Sequence, residues 1–153
     1  AQAGNINFAI YTNAIKCSDM LIKLLPSEKV NIRIVVSLDS GSREVYKKVK
    51  LVDKFDDVCK NIKKYAIAAK KAKPNALGVK YIIIPKVNDT KEELDRFFDL
   101  CVNKLGVTYL IADMRNNGEV PEYLKDLLRH IRNKCQENNI AFEFFDRALV
   151  TKL

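Results

Sequence analysis

The chain has no tryptophan, one histidine, and only nine residues that are glycine or proline in 153. So few backbone breakers exclude a linker, a low-complexity tail or a collagen-like repeat. No apolar stretch approaches the ~20 residues needed to cross a bilayer. The opening AQAGNINFAIY carries neither a basic start nor a long apolar core, so no secretory signal is expected there. The phosphate loop G-x-x-x-x-G-K-[ST], the dinucleotide fingerprint G-x-G-x-x-G and the G-x-S-x-G elbow are all missing. A Ser-His-Asp or Cys-His site would have to use His130, which sits mid-helix between Arg129 and Ile131. Packing or surface exposure is its expected role.

Four cysteines are present, Cys17, Cys59, Cys101 and Cys135, and no two are close enough to form a C-x-x-C pair. Short loops pre-position thiolates for zinc or an iron–sulfur cluster, and these spacings offer none. Each cysteine falls on an apolar helical stripe. Buried, reduced thiols are expected, in a cytoplasmic protein.

The charge is one-sided, +8 from 27 basic against 19 acidic residues. Its densest part is Lys60, Lys63, Lys64, Lys70, Lys71 and Lys73. A nucleic-acid groove would interleave aromatic residues for base stacking, and none are interleaved here. A solvated helix face is the expectation, with no nucleic-acid and no membrane partner.

What is present is alternation. NFAIYT (7–12) reads as a first strand, followed by Cys17, Met20, Leu21, Leu24 and Leu25 at helical spacing, with Pro26 closing the helix. The run Ile32, Ile34, Val35, Val36, Leu38 predicts a buried second strand, and Lys47 to Lys50 a lysine-rich connector. Phe55, Val58, Cys59, Ile62, Ala66 and Ala69 mark one face of a helix from about Val52 to Lys71. VKYIIIP (79–85) is a third strand covered on both faces. Thr90 and Glu93 form a capping box, with each side chain expected to satisfy the other's backbone N–H. Gly106 is placed to end that helix. VTYLIA (107–112) is strand four, and Pro121 opens a helix striped by Leu124, Leu127, Leu128, Ile131 and Cys135. Residues 140–145 make strand five. The order βαβαβαβαβ predicts a single α/β domain with a parallel sheet and right-handed crossovers.

In such a sheet, residues just past the strands' C-terminal ends share one rim. Here these are Thr12 and Asn13; Ser37, Asp39 and Ser40; Lys86, Asn88 and Asp89; and Asp113, Arg115 and Asn116. A carboxylate among small hydroxyl and amide donors suits a polyol or ribose. Polar residues also follow strands simply because loops face water, so both readings are open at this point.

The segments SLDSGSRE (37–44), YKKV (46–49), FDDV (55–58) and Asn61-Ile62 resemble the fourth strand and helix of radical S-adenosylmethionine enzymes. KYIIIP (80–85), Asn88-Asp89-Thr90 and Glu92-Glu93-Leu94 resemble their fifth; Thr12-Asn13 and 109–113 resemble the ends of the third and sixth. The resemblance implies a partial, TIM-like (β/α)6 barrel cut to its C-terminal portion, with helices on the outer face. It implies that Ser37 and Asp39 approach the ribose and methionyl ends of S-adenosylmethionine. It also places Ile84 and Pro85, with the backbone of 111–113 ending at Asp113, beside adenine, and Asn88 just beyond. Pro85-Lys86 stands where that family has a glycine. The family's C-x-x-x-C-x-x-C loop for a [4Fe–4S] cluster and its Gly-Gly-Glu segment are absent, so the chain is expected not to be active alone. It is either a fragment whose partner is the missing N-terminal barrel half, or a homologue without the chemistry. Further readings are a non-catalytic α/β binding or scaffold domain, and a doubly wound nucleotide-binding domain. A first strand without a neighbour further predicts self-association, such as a homodimer, through its exposed edge. The substrate, peptide or small molecule, is not specified.

Overall fold

The computed structural model describes residues 7–114 and 120–144. Five parallel strands, β1 (Asn7–Thr12), β2 (Asn31–Ser37), β3 (Leu77–Ile83), β4 (Tyr109–Met114) and β5 (Ala141–Phe144), form one open sheet in the order β1-β2-β3-β4-β5. The register pairs Ile10 with Ile34, Val36 with Val79, and Val79 with Leu110. Strand periodicity therefore divides each strand between two faces.

One face carries Ile32, Ile34 and Val36, then Leu77, Val79, Tyr81 and Ile83, then Leu110 and Ala112, all buried. Every described helix except the short α1 buries residues in that same core. They are α2 (Arg43–Lys50) through Tyr46, α3 (Phe55–Ala69) through Val58, Ile62, Tyr65 and Ala66, α4 (Lys91–Phe98) through Leu94, Phe97 and Phe98, and α5 (Glu122–Glu137) through Leu124, Leu128, Ile131 and Cys135. α1 (Asp19–Leu24) packs against it with the half-buried Leu21 and Leu24. The other face holds Arg33, Val35, Ser37, Gly78, Lys80, Tyr109, Ile111 and Glu143, where Val35, Tyr109 and Ile111 form a small second cluster with no helical member among the described residues. The order has no reversal, which a doubly wound nucleotide-binding sheet requires. A one-sided sheet of this order matches part of a barrel.

The sequence expectations fail in several places. β3 is not covered on both faces, since Lys80 and Ile82 are half-buried on the side without helices, and Cys17 and Cys59 are half-buried rather than buried. The segment read as a connector at Lys47 to Lys50 is helical: α2 spans Arg43–Lys50 and is capped by Leu51, whose φ of 59° is left-handed. Thr90 does accept from the Glu93 N–H (3.2 Å), but the Glu93 carboxylate does not return to Thr90. It crosses instead to the start of α2, accepting from the N–H groups of Gly41 (2.6 Å) and Ser42 (2.9 Å) and from the Ser42 hydroxyl. Elsewhere local signals hold. α4 runs on through a wider π-helical stretch, Asp99–Lys104, and Gly106 ends it with φ 76°.

His130 donates to or accepts from Asp95 at 2.8 Å, on the seam between α4 and α5, away from the strand ends. Burial raises the Asp95 carboxyl, but hydrogen bonds from Lys134 and His130 outweigh it and hold the group below the ordinary carboxylate range.

Candidate functional site

The described rim is built around Asp39. Its φ of 62° is left-handed, a conformation that aspartate tolerates better than most residues. That turn sends the carboxylate back over the ends of β2 and β3, where it is 2% exposed. Oδ1 accepts from the Ile82 N–H at 2.8 Å. Oδ2 accepts from the Ser37 hydroxyl at 2.7 Å and from the Lys50 ammonium at 2.5 Å. Lys50 also lies 3.4 Å from the Ser37 hydroxyl. Ser37, Asp39, Val49, Lys50, Ile82 and Ile84 line a cavity of about 250 Å³.

A second ion pair stands beside it. Lys80 on β3 reaches Asp113 at 3.4 Å, and the Lys80 carbonyl accepts from the N–H groups of Leu38 and Asp39. Asp113 also accepts from the Met114 N–H at 2.8 Å. Acid and base are paired in these two cases, whereas Lys86 is exposed and Asp89 accepts from the Tyr123 hydroxyl at 3.0 Å.

The other residues expected at the rim divide into three groups. Asn88 is 1% exposed and its amide is used internally: its oxygen accepts from the Ile84 N–H (2.6 Å), and its nitrogen donates to the carbonyls of Asp39 and Ile82 (both 2.9 Å). It ties the β3 turn to the β2 turn. Ser40 is fully buried and donates weakly to the Leu38 carbonyl. Thr12 and Asn13 accept from the N–H groups of Ala14 and Ile15, and they stand outside the lining of the Ser37 cavity. Pro85 is exposed in the turn that follows the cavity-lining Ile84. Arg115 and Asn116 lie outside the described residues. A larger cleft of about 450 Å³ opens at the opposite ends of the strands, near Asn7, Arg33 and Lys73. Its lining brings no carboxylate and hydroxyl together.

Lys50 is the residue that reading by strand ends missed. Its signal was present: Val45, Tyr46 and Val49 have helical spacing, which brings Lys50 to the side of α2 that faces Asp39.

No family model matches the sequence, and no curated protein matches it. Among solved structures, the chain is similar to a radical SAM methyltransferase from Sphaerobacter thermophilus, with a TM-score of 0.53 and 12% identity. The two share a fold. The match covers 89% of this chain and 39% of that one, so the chain spans about two-fifths of the methyltransferase's length.

The residues described do not fit a [4Fe–4S] cluster. No three His, Cys, Asp or Glu side chains among them are grouped to hold a metal ion. Cys101 and Cys135 are fully buried in the helical layer. Burial pushes the Cys59 thiol up to about 11 and the Cys135 thiol up to about 12, and holds Cys101 well above the usual value. Neutral thiols are poor nucleophiles and poor ligands. Iodoacetamide at pH 8 is therefore expected to leave Cys101 and Cys135 unmodified in the native chain and to label both in denaturant. Complete native labelling within minutes, read by peptide mass mapping, would contradict this packing. No helix among the described residues is long and apolar enough to cross a membrane.

Proposed function

We propose that this chain is the C-terminal part of a radical S-adenosylmethionine enzyme's barrel, supplying part of the cofactor and substrate pocket while the iron–sulfur site lies elsewhere. The observation that carries this reading is the meeting of Ser37, Asp39 and Lys50 with Ile82 and Ile84 at the strand ends of a one-sided parallel sheet. The cavity there, about 250 Å³, is smaller than the ~300–1,000 Å³ of pockets that enclose a ligand, as expected for a wall of a larger one.

The chemistry of the wall suits a zwitterionic cofactor. Asp39 has its oxygens engaged, so the polar group offered to the cavity is the Lys50 ammonium, one-fifth exposed and held in place by Asp39. That ammonium suits the methionyl carboxylate, with the Ser37 hydroxyl as a second contact. Ile82 and Ile84 give apolar lining for the adenine side. In this reading the outer edge of β1, unpaired among the described residues, is where the remaining strands of the barrel continue.

Calorimetry with S-adenosylmethionine tests the proposal. The chain is expected to bind with a dissociation constant of roughly 1 mM, consistent with a partial site, and Ser37→Ala is expected to weaken that binding. Reading the coding frame upstream of Ala1 is a second test, and the absence of a C-x-x-x-C-x-x-C motif there would overturn the enzyme reading. The second reading is a non-catalytic scaffold, favoured by the full internal use of the Asp39 oxygens. Undetectable binding at millimolar S-adenosylmethionine supports it.

A further inference from the structure

Resting on the reading of the rim as a substrate wall, we propose that its substrate is a polypeptide. The anchor is the apolar pair Leu51 and Val52, at the mouth of the cavity lined by Ser37, Asp39 and Lys50.

Leu51 is unfavourably placed on two counts. It follows α2 with a φ of 59°, where a Cβ crowds the backbone and glycine or asparagine is the usual residue. The left-handed turns at the opposite ends of the strands use those residues, Asn75, Gly106 and Asn139. Leu51 is also 85% exposed, the most open of the large apolar side chains described, and Val52 beside it is 43% exposed. Other exposed apolar residues belong to the edge strand, as Phe8 and Tyr11 do, or stand singly, as Met20 and Ile67 do on α1 and α3. Backbone strain persists where the surroundings enforce it, and it gathers at ligand clamps. Here α2 enforces it: the Leu51 N–H donates to the Lys47 carbonyl at 2.9 Å, and the two residues before it, Val49 and Lys50, line the cavity. So open a side chain adds little to the core, and burial against a ligand recovers its apolar surface.

The charge around the pair selects the class of ligand. The chain as a whole is +8, yet residues 39–57 carry five basic and five acidic side chains. Arg43 and Lys47 pair with Asp53, Lys50 with Asp39, and Lys54 with Asp57. A phosphate backbone or an anionic membrane is drawn by net positive charge, and this segment has none. Leu51 and Val52 also lie outside the lining of the cavity. A ligand that meets them and Lys50 together therefore extends beyond about 250 Å³. A polypeptide meets both conditions, because it presents apolar side chains at intervals along a neutral backbone. One apolar residue of it covers Leu51 while a neighbouring residue enters the cavity.

The test pans random peptides of about 12 residues, displayed on phage, against the full chain, a length that spans the mouth and the cavity. Enriched sequences are resynthesised for fluorescence anisotropy, and they are expected to be near-neutral and to share a large apolar residue. Leu51→Asn, which tolerates the left-handed turn, is expected to weaken their binding by ~10-fold. Ile67→Asn, a comparable loss of exposed apolar surface on α3, is expected to weaken it by less than ~2-fold. Leu51→Gly should weaken binding as much as Leu51→Asn while raising the urea midpoint, because glycine relieves the turn. A lower midpoint would make Leu51 a structural residue and overturn the proposal. Equal losses for the two asparagine variants, or no enrichment over a blank surface, would overturn it also. Binding to phosphatidylserine vesicles that is lost in Leu51→Asn, with no peptide enriched, would overturn it in favour of a lipid. Calorimetry with S-adenosylmethionine keeps the cofactor reading separate. Cofactor bound with no peptide enriched sinks the polypeptide alone, and peptide bound without cofactor upholds the polypeptide and sinks the cofactor reading.

Discussion

Gly41→Ala is expected to destabilise the fold by about 3 kcal/mol, the upper end of ordinary overpacking, because the obstacle is backbone. A Cβ on Gly41 would sit 2.2 Å from the Phe97 nitrogen and 2.6 Å from the Arg96 carbonyl carbon. Neither belongs to a flexible side chain that can turn away. Both lie in α4, which is fixed against the sheet by Leu94, Phe97 and Phe98. Relief requires α4 or the Gly41–Ser42 turn to move, and the Glu93 carboxylate holds the two together through the Gly41 and Ser42 N–H groups. Ser42 makes no side-chain cap to its own helix, because its hydroxyl goes to Glu93. A buried carboxylate from α4 therefore supplies the negative charge that the start of α2 favours. The companion variant Glu93→Ala leaves those donors without an acceptor, and a loss of about 3 kcal/mol is expected there also. Urea unfolding reads both as a fall in midpoint at unchanged slope. A loss below about 1 kcal/mol for Gly41→Ala would show that the α4–α2 contact is looser than drawn.

These two residues also mark where the sequence stops being legible. The strands, α1, α3, α4 and α5 follow from apolar periodicity, which is local. Thr90 and Gly106 bound α4 through hydrogen bonds spanning three to five residues. α2 escaped because its last turn is crowded with Lys47, Lys48 and Lys50 and only Tyr46 is buried, so its pattern is that of a solvated link. What holds it is Glu93, 51 and 52 residues away in sequence. Glu93 was assigned to Thr90 because a capping box is the nearest partner that local reasoning can find. Asn88 shows the same limit at the rim. A polar residue after a strand suggests a ligand donor, yet this one is consumed by three backbone groups of two turns. Which strand ends form a rim could be read from alternation alone. Which rim side chains are free required the distances between turns.

Lys50→Met is expected to produce the second large effect, again about 3 kcal/mol, because it leaves the Asp39 carboxylate buried without its cation. The value belongs at the lower end for a broken buried pair, since Lys50 is one-fifth exposed and water can take part of its place. Asp39→Asn should be milder, about 1–2 kcal/mol. Asparagine accepts the left-handed φ, its oxygen can still receive the Ile82 N–H, and Lys50 can turn to solvent. If the two groups act on each other, the double variant will be more stable than the sum of the single losses implies, by at least about 1 kcal/mol. Simple additivity would mean that the contact at 2.5 Å contributes nothing, and the rim would lose its organising pair. The same cycle bears on binding. A ligand whose hydroxyls needed Asp39 would have to displace Lys50, so Lys50→Met would tighten its binding. A ligand whose carboxylate meets Lys50 would bind Lys50→Met more weakly, and that loss is the result expected for S-adenosylmethionine.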